Sequence, residues 1–158
     1  MDTRSQASYS KPRELLPHSG RPTLSTSGGG QSPFEERFAL LVESGQATDR
    51  TVAAARLALD MIEKHYGIQL TDELGAPLAT HLAITMKRLL NGETLSEAPD
   101  AVWEELQNHA EELEMASSIV SRLERYLNIP ISRAELGFIA IHLARIKLEA
   151  NLEARTCI

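Results

Sequence analysis

The part of the sequence that decides the fold reads SRAELGFIAIHLARI and spans residues 132–146. Its apolar residues recur at steps of three and four, which is the spacing of one buried face of an α-helix. Ser132 and Glu135 match the S-x-x-E capping box that opens helices. We therefore predict a helix that begins here and turns inward the side chains of Leu136, Ile139, Leu143, Ile146 and Ala150.

The same periodicity continues toward the N-terminus. Residues 128–130, Asn-Ile-Pro, break the chain before the last helix. A long helix is predicted up to Leu127, and a shorter helical stretch over residues 102–107 precedes it. The sequence leaves open whether the two are interrupted near His109.

Three helices are predicted in the first half of the domain. The first covers residues 34–43 and the third covers about residues 72–91. Between them, a helix begins with Thr48 or Asp49 as its N-cap and ends at Gly67, where a left-handed C-cap is expected. No segment shows the sustained alternation of a β-strand. The fold class is therefore an all-α, compact bundle of about five helices.

The chain divides into one domain and two short tails. Residues 1–32 are rich in serine, threonine, proline and glycine, and we predict a disordered low-complexity tail there. Residues 33–152 form the helical domain, and residues 153–158 form a C-terminal tail.

Composition excludes several classes of protein. No apolar run approaches the ~18 residues of a membrane span, and no secretory signal opens the sequence. The net charge of −6 disfavours a dominant basic face, so direct nucleic-acid binding is not expected. The single cysteine, Cys157, has no partner within the chain and fits a reducing compartment. We expect a cytoplasmic protein without a membrane association.

Two of the five histidines, His81 and His142, stand in mid-helix on apolar faces. Each is followed on its own side of the helix by an arginine, Arg88 after seven residues and Arg145 after three. A guanidinium at this spacing is able to pair with a phosphate on the neighbouring ring. Taken singly, each histidine is more simply a packed imidazole bonded to a neighbouring helix. As a pair, they suggest a reactive site.

These histidines lie in segments that resemble a known family. Residues 135–144, ELGFIAIHLA, look like the second histidine motif of the phosphotransferase-system regulation domain (PRD). That domain is the module of bacterial sugar-operon antiterminators and activators. The sequence Thr80-His81-Leu82, with Arg88 downstream, resembles the family's first histidine motif.

The resemblance extends over about residues 34–150, because residues 38–45 and 62–70 are similar to the family's opening helices. We identify the chain as a single-domain member. It departs from the family pattern at Thr80, where an aspartate usually precedes the first histidine, and at Pro77, one turn earlier. Pro77 also requires that its helix begins nearby or bends there.

The resemblance implies a function. His142 is then a phosphorylation site and His81 a weaker one, with Arg88 and Arg145 as the residues that neighbour the phosphate. The donor is the phosphocarrier protein or a sugar-permease subunit of the phosphotransferase system. Phosphorylation controls transcription or antitermination of a carbohydrate operon through dimerisation or partner binding, and we expect a homodimer. Neither a metal nor a cofactor is implied.

Two other functions remain open on sequence grounds. The chain could be a helical adaptor or dimerisation protein in which both histidines are structural, or a histidine-phosphotransfer relay protein. An enzyme is not expected, because the H-E-x-x-H, G-x-S-x-G and glycine-rich phosphate-loop motifs are absent. The acidic run of Glu111, Glu112 and Glu114 is interpreted as a solvated helix face.

Overall fold

The computed structural model describes residues 32–93 and 96–156, and these residues form helices joined by short turns. The helices are α1 (Glu35–Glu43), α2 (Asp49–Tyr66), α3 (Asp72–Leu90), α4 (Asp100–Leu106), α5 (Ala110–Leu127) and α6 (Arg133–Thr156). No strand occurs in these ranges. The predicted all-α bundle is confirmed. The disordered tail predicted for residues 1–32 lies outside the described residues, apart from Ser32.

The number of helices in the described ranges is six because the chain breaks at His109. This residue has a non-helical backbone (φ −121°, ψ 50°), and its N–H donates to the carbonyl of Leu106. The backbone therefore closes α4 and opens α5 at this point. The interruption that the sequence left open is a true boundary between two helices.

Local sequence signals fix the ends of α2. Thr48 is its N-cap, and its side-chain oxygen accepts from the N–H of Thr51 in a reciprocal capping box. Gly67 ends the helix with φ 64°, a left-handed conformation that a glycine adopts without steric penalty. Both ends agree with the prediction.

The core lies where four helices meet. Helix α2 packs against α3 and α5, and α6 packs against α3, α5 and α4, while α1 covers α3. The largest fully buried side chains come from all of these layers: Phe38, Ile62, Leu78, Leu82, Met86, Leu106, Ile119, Leu123, Leu127, Ile139 and Leu143. Burial of this apolar surface is the main force that holds the helices together. Among the described residues, no helix combines the length and apolar character that crossing a membrane requires.

Pro77 lies inside α3 without ending it, five residues after the helix begins at Asp72. A proline has no N–H to donate to the carbonyl four residues earlier, which here belongs to Glu73. Glu73 and Pro77 are both exposed, so water is available to that carbonyl. The helix therefore continues past Pro77, and His81 lies four residues further along it.

Two expectations differ from the structure in detail. Glu112 is not part of a solvated face: its side chain is only 5% exposed, whereas Glu111 and Glu114 are exposed. The prediction for this residue was wrong because position 112 falls on the buried face of α5. In addition, α6 continues to Thr156, past residue 152 where we placed the end of the domain.

Candidate functional site: a histidine pair between two helices

The packing of α3 against α6 brings His81 and His142 together. Their ring centroids lie 5.4 Å apart, with the ring planes tilted by 45°. Both side chains are half-buried. Two histidines separated by 61 positions in the sequence thus form one site.

One face of α6 carries the site. Glu135, Phe138 and His142 follow each other at steps of three and four residues, so they lie along the same side of the helix. The ring of Phe138 lies 5.9 Å from that of His81 between centroids. The α6 face therefore supplies three neighbours to the single histidine of α3.

A buried carboxylate holds the ring of His81. Glu135 Oε2 lies 2.8 Å from Nε2 of His81, and the glutamate side chain is 4% exposed while that of the histidine is 26% exposed. A carboxylate only accepts hydrogen bonds, so Nε2 is the nitrogen that carries the proton and donates. The other ring nitrogen, Nδ1, is not engaged by Glu135.

This contact corrects the prediction for Glu135. The N–H of Glu135 does donate to the Ser132 hydroxyl at 3.4 Å, which is one half of a capping box. Its carboxylate, however, bonds His81 on another helix, because position 135 faces α3. The S-x-x-E pattern marked the start of α6 correctly but assigned the glutamate side chain to the wrong partner.

His142 is held in its uncharged form. The pKa of His142 is lowered to about 4: burial is the main cause, His81 and Arg145 lower the pKa as well, and Glu135 opposes them. At neutral pH the ring therefore has one protonated and one unprotonated nitrogen. An unprotonated imidazole nitrogen is a nucleophile.

Each of the two predicted arginines lies on the helix of one histidine, Arg88 on α3 and Arg145 on α6. Arg145 is exposed and stands three residues after His142, close enough for its charge to affect the pKa of that ring. Arg88 is exposed and lines a groove of about 350 Å³ together with His81, Thr85, Ser96 and Glu135. Its Nε donates to Glu93 at 2.7 Å. The structure thus places one arginine near each histidine.

Thr80, which precedes His81, takes no part in orienting the ring. Its hydroxyl oxygen is buried, and within the described residues it has no hydrogen-bond partner. Glu135 supplies the only carboxylate contact that the structure gives to His81 in those ranges. The polar support of this histidine therefore comes from α6.

A second polar cluster lies away from the pair, where α5 meets α6. Glu112 accepts from Lys147 at 3.2 Å and lies 3.5 Å from Nδ1 of His109. Burial by itself raises the pKa of Glu112, but its own backbone N–H and the Lys147 ammonium outweigh burial and lower it. The hydroxyl of Tyr66 is buried and has no hydrogen-bond partner among the residues that the structure describes, and burial, together with Glu112 and Glu111, raises its pKa. This cluster ties the two helices together.

No group of three or more histidine, cysteine or acidic side chains in the described residues is arranged to hold a metal ion.

Sequence reasoning found both histidines and missed Glu135 and Phe138 as their neighbours. A signal was available: Glu135 stands seven residues before His142, as Arg88 stands seven residues after His81. Seven residues are close to two helical turns, so such residues share a face. That spacing placed Glu135 beside His142, but only the packing of α3 on α6 reveals its bond to His81.

Comparison with known proteins agrees with this architecture. The chain has no match among curated proteins. It is similar in fold to the crystal structure of GlcT CAT-PRDI, with a TM-score of 0.58 and 18% identity over 72% of this chain and 66% of that chain. The model of the PRD domain matches residues 57–146, which is more than half of the sequence and includes both histidines. The chain therefore belongs to the PRD family of regulatory domains.

Proposed function

We propose that this domain accepts a phosphoryl group from the sugar phosphotransferase system, on His142 first and on His81 to a lesser extent. The donor is the phosphocarrier protein or a sugar-permease subunit. The phosphorylated and unphosphorylated forms differ in dimerisation or partner binding, and this difference controls transcription or antitermination of a carbohydrate operon. The domain is a substrate of phosphoryl transfer and not an enzyme.

One observation carries the proposal: an uncharged, half-buried histidine faces a second histidine across two helices. Because the pKa of His142 is about 4, its nucleophilic nitrogen stays unprotonated throughout the neutral range. A histidine with a purely structural role does not need a partner ring 5.4 Å away.

The transfer is chemically simple. The unprotonated nitrogen of His142 attacks the phosphorus of a phosphohistidine donor and forms a new N–P bond. The N–P bond of the donor breaks, and its electron pair returns to the donor ring. Each ring keeps its other N–H, so the donor leaves as neutral imidazole and no net proton transfer is needed.

The product changes the electrostatics between α3 and α6. A phosphoryl group adds a charge of about −2 where a neutral ring had been. Arg145 and Arg88 are the residues predicted to neighbour the phosphate, and a guanidinium bonds strongly to phosphate oxygens. The new charge also repels Glu135, which is buried beside His81. The helix interface must therefore adjust when the phosphate arrives.

The test is a reconstituted transfer. The purified protein is incubated with phosphoenolpyruvate, the first enzyme of the phosphotransferase system and the phosphocarrier protein. The phosphorylated residue is then located by mass spectrometry at neutral or alkaline pH, since phosphohistidine is labile in acid. We expect His142→Ala to remove most of the label and His81→Ala to remove a smaller part.

Histidine 65 provides a matched control, because its side chain is 45% exposed and lies outside the pair. His65→Ala should leave the label unchanged. If the wild type takes no phosphate from the carrier or from any permease subunit of its own organism, the proposal fails. The histidines are then structural, as in an adaptor bundle.

A further inference from the structure

We propose that Glu135 favours His142 over His81 as the phosphoryl acceptor, because it engages Nε2 of His81 and places a negative charge beside that ring. Glu135 acts on the reaction through His81, so it is a positioning residue. This inference rests on the proposed function, because it concerns the choice between two acceptors of the same phosphate.

The first step of the argument is the hydrogen bond. Nε2 of His81 points at Glu135 Oε2 across 2.8 Å and must carry the proton, since a carboxylate cannot donate. A protonated ring nitrogen has no free electron pair with which to attack phosphorus. As long as the contact persists, Nε2 of His81 is unreactive.

The second step is charge. A phosphoryl group at Nε2 of His81 must occupy the position of the Glu135 carboxylate, whose side chain is 4% exposed. A phosphoryl group and a carboxylate that are in contact, with little water between them, repel each other strongly. The backbone of Glu135 is anchored near the start of α6 by the hydrogen bond from its N–H to Ser132, which keeps the carboxylate within reach of His81.

The third step is the contrast with His142. This ring sits seven residues further along the same helix face, beside Arg145 and not against a carboxylate. Among the described residues, no carboxylate is hydrogen-bonded to either ring nitrogen of His142. The α6 face thus places a carboxylate against His81 at one end and carries His142 seven residues further on, where the described residues give that ring no carboxylate contact.

The decisive experiment measures transfer to His81 when His142 is absent. Three proteins are compared with the phosphocarrier protein as donor: the wild type, His142→Ala, and His142→Ala combined with Glu135→Gln. Glutamine keeps the size of the side chain, removes its charge, and offers an amide N–H to a phosphate oxygen. We expect little label in the single variant and an increase on the order of tenfold or more in the double variant, on His81.

Glu112→Gln, placed in the same His142→Ala background, is the matched control. It also removes a buried carboxylate, with a side chain 5% exposed, but at the second cluster between α5 and α6. We expect it to leave the label at the level of His142→Ala. A similar gain from Glu112→Gln would mean that loosening the bundle exposes His81, and would overturn the inference.

A second measurement does not depend on transfer. Nitrogen-15 NMR of the unphosphorylated wild type should show His81 protonated at Nε2 and unprotonated at Nδ1, with this tautomer lost in Glu135→Ala. The opposite tautomer in the wild type overturns the inference even if a variant is poorly folded.

The outcomes separate the two proposals. If the wild type is phosphorylated but the double variant gains nothing over His142→Ala, the role of Glu135 is wrong and the proposed function stands. If the wild type accepts no phosphate at all, the proposed function fails and this inference fails with it.

Discussion

His81 and His142 are neighbours with different electrostatic surroundings. His81 faces the carboxylate of Glu135, which satisfies one of its nitrogens. Burial disfavours a proton on the ring of His142, and the neighbouring His81 and Arg145 disfavour it further. At the scale of single residues, the structure therefore separates a hydrogen-bonded imidazole from an uncharged, nucleophilic one.

The lowered pKa of His142 predicts how stability depends on pH. Between its ordinary pKa of 6.5 and the folded value of about 4, the unfolded chain binds a proton at His142 and the folded chain does not. Stability from this residue is therefore complete above pH 6.5 and is lost as the pH falls toward 4, by up to about 3 kcal/mol. Urea unfolding followed by circular dichroism, at a series of pH values, measures this loss.

The comparison with His142→Gln isolates the effect of this one residue. The free energy of unfolding of the wild type minus that of the variant should decrease as the pH is lowered. His65→Gln, at an exposed position outside the pair, is measured at the same pH values for comparison. A difference for His142→Gln that does not change with pH would contradict the uncharged state that the site requires.

At the scale of helices, the sequence predicted the helices and their caps but missed the polar contacts between helices. The apolar steps of α2 and the cap residues Thr48 and Gly67 are local signals, and the structure confirms them. Helix α5 shows the limit: its pattern identified the helix but not the ion pair of Glu112 with Lys147, which lies on α6. Local patterns define helices, whereas partners between helices appear only after packing.

The histidine site shows the same limit. His81 and His142 were found because each lies on an apolar helical face, and a family resemblance joined them. Glu135 was assigned to a cap because the capping box is read within four residues, while its true partner is 54 positions away. The two histidines could therefore be found from the sequence, but the contact of Glu135 with His81 could not.

Helix packing also makes a prediction about Gly75 in α3. A Cβ at this position would lie 2.5 Å from Cζ of Phe34, whose ring is 2% exposed and has little room to move. Gly75→Ala should therefore destabilise the fold by about 1–3 kcal/mol through overpacking, although alanine favours helices by up to about 1 kcal/mol. Denaturant unfolding measures the net effect.

The rescue variant tests the stated cause. Phe34→Leu removes the ring. The loss of stability caused by Gly75→Ala should therefore be smaller in the Phe34→Leu background than in the wild type. If Gly75→Ala costs the same in both backgrounds, the contact with Phe34 is not the reason. A stabilised Gly75→Ala would show that the gain in helix propensity outweighs the contact.

At the scale of the whole molecule, we predict that the protein forms a homodimer whose stability changes on phosphorylation. Leu40, Tyr126 and Leu148 are large apolar side chains that remain exposed on α1, α5 and α6. A charge of about −2 placed between α3 and α6 changes the packing of the helices that carry them. Light scattering at a range of micromolar concentrations should show a dimer, and a different monomer–dimer balance after phosphorylation. A monomer in both states would contradict the prediction.

The contact between α4 and α6 has a practical consequence. The chain has a single tryptophan, Trp103, whose ring a Cβ at Gly137 would approach to 3.0 Å, while Arg133 lies 4.4 Å from the ring centroid. The residue after Gly137 is Phe138, which touches His81. Indole emission depends on the polarity and charge around the ring, and the Arg133 guanidinium of α6 lies over it. The intrinsic fluorescence of the protein therefore reports, without any label, whether the part of α6 that bears the histidine site moves.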